Sequence, residues 1–70
     1  MKKEKFRQGW ISVEERLPEK LIDVLTFSEK ENEYFIDKLT GEGYWEFGTD
    51  EHGKPLVTHW QPLPTPPQSK

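Results

Sequence analysis

The sequence predicts an all-β domain, a small curled antiparallel meander of four to five strands that bends toward a barrel. Three observations carry this expectation. Apolar and polar residues alternate over short runs at 23–30, 33–40 and 56–61, the period of a strand with one buried face. Turn formers separate the runs at short, regular intervals, at 29–33, 40–43 and 49–55. Alanine is absent, while β-branched and aromatic residues are prominent, so local preference leans to strand.

Taken in order, residues 1–8 (MKKEKFRQ) read as a flexible basic arm and 9–67 as one β domain, with 68–70 a disordered tail. WISV at 10–13 is a short apolar alternation that can pair as a strand. Ser12 with Glu15 has the form of a capping box, but Pro18 leaves room for one helical turn at most. Residues 14–20 are therefore a turn or extended connector, with Leu17 expected to point inward. Residues 23–30 place Leu25 and Phe27 on one face and Val24, Thr26 and Ser28 on the other. Residues 33–40 place Phe35, Asp37 and Leu39 opposite Tyr34, Ile36 and Lys38. TGEG at 40–43 offers two glycines for a tight hairpin. YWEFG at 44–48 reads as a further strand with Trp45 and Phe47 on one side, and 56–61 as the last.

Size and charge narrow the function. Seventy residues without cysteine can be held neither by disulfides nor by thiolate metal sites, and their core is thin. Three Trp, four Phe and two Tyr must supply most of it, or a second copy must cover an open sheet face, which predicts self-association. A net charge of −3 lacks the basic face of a general nucleic-acid binder. No apolar run approaches a membrane span, and the cationic start leads into no apolar segment of a secretory signal. A cytosolic protein is expected.

Two blocks near the ends, GWISVEERLPE at 9–19 and THWQPLPTPP at 58–67, resemble a family of small phage and bacterial proteins known as domain of unknown function 551. The elements that carry the resemblance are Trp10, Ile11, Ser12 and Val13, then Arg16, Leu17 and Pro18. Val24 with Leu25 and Thr58, His59 and Trp60 follow, and the prolines of 62–67 close the pattern. The resemblance implies a phage or prophage context and no particular chemistry.

The candidate sites divide unevenly. Asp50, Glu51, His52 and His59 could be imagined around a metal, but their spacing matches no ligand motif. Ser12 and Ser28 lie in no nucleophile elbow, and Asp23, Asp37 and Glu46 read as solvent-facing partners of Lys30 and Lys38. Neither catalytic residues, nor a metal, nor a cofactor is expected. An RNA platform built from Tyr34, Tyr44, Trp45 and Phe47 is countered by the negative charge. Pro64 and Pro67 have a PxxP spacing, yet the tract runs straight on from a strand. It reads as scaffold along the domain's own sheet edge.

What remains is binding. Arg16, Tyr34, Lys38, Tyr44, Trp45 and His59 are the residues expected to carry it, because aromatic and cationic side chains anchor interfaces; Trp10 and Trp60 read as core. The first expectation is a host protein engaged through an aromatic patch or a sheet edge. The alternative is an oligomer sequestering a small anionic ligand, such as a nucleotide-derived defence signal, with Arg7, Arg16, Lys38 and Lys54 meeting across an interface. A hydrolase in which the acidic histidine loop converges on Ser28 or a metal ranks last.

Overall fold

The fold was described from a computed structural model, which places residues 9–64. The arm, the tail and the end of the proline tract lie outside them. The chain forms the expected all-β antiparallel fold: β1 (Ile11–Ser12), β2 (Val24–Ser28), β3 (Glu33–Asp37) and β4 (His59–Pro62). They make one open sheet in the order β1-β4-β2-β3. It is not closed into a barrel. No helix among the described residues is long and apolar enough to cross a membrane.

The pleat sorts the residues into two faces. Thr26 pairs with Phe35 on one side and Trp60 on the other, and Trp60 with Ile11, so these four share a face with Val24, Ser28 and Asp37. The chain from 38 to 57 folds over that face. It delivers Leu39, Trp45 and Val57 to meet Val24 and Trp60, and these five are the buried hydrophobic residues of the core. Polar atoms inside are matched: the Thr26 hydroxyl donates to the Phe35 carbonyl at 2.6 Å, and Trp60 Nε1 donates to the Arg16 carbonyl at 2.9 Å.

Asp37 does not face solvent, as the alternation with Lys38 had implied. It is 2% exposed, and its carboxylate accepts the backbone N–H groups of Lys38 at 2.8 Å, of Phe47 at 3.1 Å and of Gly48 at 2.7 Å. Lys38 pairs instead with Asp23 and Glu46. Gly48 lies so close that an added Cβ would stand 2.5 Å from Val57 Cγ2. The Asp37 clamp thus ends β3 and pins the returning loop against the core.

That loop also corrects the strand expected at 44–48. Only single bridges form there, Leu39 with Trp45 and Thr49 with Pro55, because the chain must turn across the sheet rather than extend it. Trp45 is buried whereas Phe47 is 70% exposed, so the two do not share a side, and no platform of Tyr34, Tyr44, Trp45 and Phe47 is built. In the TGEG turn only Gly43 takes a positive φ, at 93°. Leu17 is exposed, not inward, since Ser12 turns the chain outward. Its carbonyl accepts from Glu15 and Arg16, and its hydroxyl from the Glu14 N–H. Pro62 closes β4 opposite Val24, and because the pairing of β4 with β1 ends at Trp60, it has a strand partner on one side only.

Candidate functional site

Among the described residues, no loop folds over the other face of the sheet. Phe27 pairs with Tyr34 and with His59, and His59 with Ser12. Leu25 pairs likewise with Ile36 and Gln61. Trp10 precedes Ile11 and so falls on this face, where its ring lies over β2 and β3. Its centroid is 6.0 Å from Tyr34 in a stacked arrangement and 6.1 Å from Phe27, and Phe27 is 4.8 Å from Tyr34. Each such contact contributes ~0.5–1.5 kcal/mol beyond its area, enough to hold three rings as one surface. Tyr34 remains 67% exposed and Ile36 53%.

Carboxylates stand at the same end of the sheet. Val13 N–H donates to the Thr58 carbonyl and Glu29 N–H to the Thr58 hydroxyl, which brings Glu14 and Glu29 to the flanks of β4. Glu31 follows in the β2–β3 turn, and all three are exposed; Glu33 opens β3 opposite Ser28 and so belongs to the other face. Lys30 is the one cation of that turn. Residues 9–64 hold five Lys and Arg against twelve Asp and Glu, a net charge of −7. Residues 1–8 carry four cations and one Glu, or +3, and Lys70 adds one, which together restore the −3 of the chain. The domain is far more acidic than the total implies.

The six expected binding residues do not form one site. Tyr34 and His59 share the open face, with His59 Nδ1 3.0 Å from the Thr58 hydroxyl. Trp45 is 4% exposed and belongs to the core. Arg16 sits with its guanidinium carbon 5.9 Å from the Trp60 ring centroid, a cation–π contact within the chain. Lys38 is held at 3.2 Å by Glu46 and at 3.6 Å by Asp23. The hydrogen bond and charge of Glu46, then the charge of Asp23, push its ammonium pKa above the usual lysine value. Tyr44 lines a separate apolar groove of about 250 Å³ between 13–17, 43–45 and 49–55.

The histidine loop is a turn device. Asp50 Oδ1 accepts the His52 and Lys54 N–H groups, both at 2.8 Å. The Lys54 contact above all lowers the pKa of Asp50. His52 lies 3.6 Å from Glu51, both well exposed, while His59 is on the sheet and Ser28 is buried with its hydroxyl accepting from Glu31. These groups do not converge. No cluster of three metal-ligating side chains occurs among the described residues.

A family model described as "Protein of unknown function (DUF551)" matches residues 9–68. The chain belongs to the DUF551 family. The match spans both terminal blocks and every strand of the sheet. No curated protein and no solved structure matches the chain.

Sequence reasoning missed Trp10 and Phe27 as surface groups. The signal was present in part: the short turn at 29–32 forces the Leu25–Phe27 side to meet the Tyr34–Ile36 side. What could not be read was which of the two faces the loop from 38 to 57 would cover.

Proposed function

We propose that this DUF551 protein is a non-catalytic binding module, a phage-type accessory protein that engages a basic segment of a host protein on its open sheet face. The observation that carries the reading is the Trp10–Phe27–Tyr34 ring cluster with Glu14, Glu29 and Glu31 exposed at the same end of the sheet. Exposed rings beside carboxylates suit arginine and lysine, whose heads pair with the acids while their stems or guanidinium planes lie on the rings. Size also favours a segment. Four strands at ~4.8 Å spacing and five residues at ~3.4 Å rise give a face of roughly 300 Å². A stable dimer needs ~800 Å² per partner, so a second copy laid on this face gains too little.

The sequestering alternative draws less support. Its cations are engaged within the chain, Lys38 by two carboxylates and Arg16 over Trp60. A net −7 over residues 9–64 also repels a small anion before it arrives.

The test titrates the protein with a short peptide of alternating Arg and Leu, following Trp fluorescence at low and moderate salt. Wild type should bind, with affinity falling as salt rises. Tyr34→Ala should weaken binding about tenfold, ~1.4 kcal/mol, while lowering thermal stability only by its two lost ring contacts, with circular dichroism showing the domain folded at the titration temperature. Equal binding by wild type and Tyr34→Ala would remove the face from the reading.

A further inference from the structure

We propose that the groove between 13–17, 43–45 and 49–55 is a polyproline-binding groove, and that its occupant is the part of the same molecule's proline tract that follows Pro64. The groove is independent of the open sheet face. Val13, Leu17, Tyr44, Trp45 and Pro55 give it apolar walls, and Gly43 and Gly53 leave its ends low. At about 250 Å³ it falls below the ~300–1,000 Å³ of small-molecule sites, but it suits the shallow seating of a narrow helix. Polyproline II has no internal hydrogen bonds and packs its rings into aromatic-lined slots while its carbonyls seek external donors. Trp45 sits in the groove with an indole N–H that has no acceptor among the described residues, although no side-chain nitrogen or oxygen there is both buried and unpaired. Tyr44, 57% exposed, offers a flat ring and a hydroxyl at the rim.

The occupant follows from where the described chain leaves off. Pro62 pairs with Val24, and Val24 with Asp37. The Leu21 N–H donates to the Leu39 carbonyl at 2.8 Å just beyond that rung, and Lys20 Cε stands 4.0 Å from the Cβ position of Gly43. The chain therefore exits β4 at the end of the sheet where the Gly43–Tyr44 wall stands. Thr65, Pro66 and Pro67 follow Pro64 directly. At ~3.1 Å per residue they carry the rings ~9 Å onward in a conformation that proline already favours. Charge agrees as well. Glu15, Glu19 and Glu42 are exposed in the segments that border Leu17 and Gly43, and Lys70 lies three residues past Pro67 to meet them.

The experiment uses the full chain and the nitrogen-15 NMR signal of the Trp45 indole N–H. A variant with Pro64→Ala, Pro66→Ala and Pro67→Ala should shift that signal. A synthetic peptide of residues 62–70 should restore it in the variant while binding wild type at least tenfold more weakly, because the wild-type groove is already filled. Leu17→Glu, an exposed position, should shift the wild-type signal in the same way with the tail intact. The wild-type signal should not change with protein concentration. A concentration-dependent signal would make a second copy's tail the occupant and overturn the same-molecule arrangement. Identical Trp45 signals in wild type and the proline variant, or equal peptide binding to both, would overturn the groove assignment altogether.

Discussion

Replacing Asp37 should cost more than any other polar substitution in the domain, and the magnitude follows from its three contacts. Asp37→Ala strips the acceptor from the N–H groups of Lys38, Phe47 and Gly48. The Gly48 contact is buried, so its N–H is left without water, at ~2 kcal/mol. The Lys38 and Phe47 contacts are only partly buried. Water replaces the lost acceptor there, and each costs ~0.5 kcal/mol, for a sum of ~3 kcal/mol. A 70-residue domain has a total stability of only ~3.5–10 kcal/mol. Urea unfolding followed by Trp fluorescence, with a slope of ~1 kcal/mol per molar, should move its midpoint down by ~3 M, or show a chain unfolded in buffer. Asp37→Asn keeps the shape but turns an amide donor toward backbone donors, so about half the loss is expected. An alanine variant within ~0.5 kcal/mol of wild type would show that the loop at 46–48 is held by packing alone, and the clamp would be an incidental contact.

Three further outcomes can be checked alongside it. Gly48→Ala should lower stability by ~1–3 kcal/mol through overpacking, since its Cβ would meet Val57 at 2.5 Å, Asp37 at 3.1 Å and Phe35 at 3.2 Å; urea midpoints measure it. Leu21 holds φ at 65° while 65% exposed, so Leu21→Gly should leave stability unchanged or raise it by up to ~1 kcal/mol, whereas Leu21→Val should lower it. Asp50 has a folded pKa below the ordinary 3.8, so its stabilisation of the 49–55 loop is present above the unfolded value and is lost as pH falls through the folded one. The amide proton shifts of His52 and Lys54 should titrate together with a midpoint under 3.8, and Asp50→Asn should abolish that titration.

The sheet was legible because alternation is a local property. Val24, Thr26 and Ser28 were separable from Leu25 and Phe27 by counting, and the two short turns restrict the pairing that follows. The covering loop was not legible, because its path depends on contacts distant in sequence. Asp37 looked like a solvent-facing acid beside Lys38. Only the return of Phe47 and Gly48, ten and eleven residues later, turns it inward. Trp45 and Trp10 exchanged their expected places for the same reason. The loop carries Trp45 to the face it covers, which leaves Trp10 on the face it does not. Lys38 was legible as a partner of Asp23 and Glu46, and both pairs form; Arg16 was legible as a cation, but sequence does not show the Trp60 ring that comes to meet it.

The division of charge is what gives the open face its direction. Residues 9–64 carry −7 and residues 1–8 carry +3, and the two meet at Gly9 and Trp10, on the edge of the ring cluster. A basic partner segment and the chain's own first residues therefore compete for the same carboxylates. Gly9 leaves the sheet beside Gln61, while Glu14 follows the Val13–Thr58 contact at the other end of β1. Exposed charges farther apart than ~8–10 Å are screened at physiological salt, so this competition is confined to low salt. Replacing Lys2, Lys3, Lys5 and Arg7 by Gln should thus strengthen binding of the Arg-Leu peptide severalfold at low salt and leave it unchanged at high salt. Fluorescence titrations at the two salt concentrations decide it. A weakening at low salt would instead make the arm part of the binding surface, clasping the segment rather than competing with it.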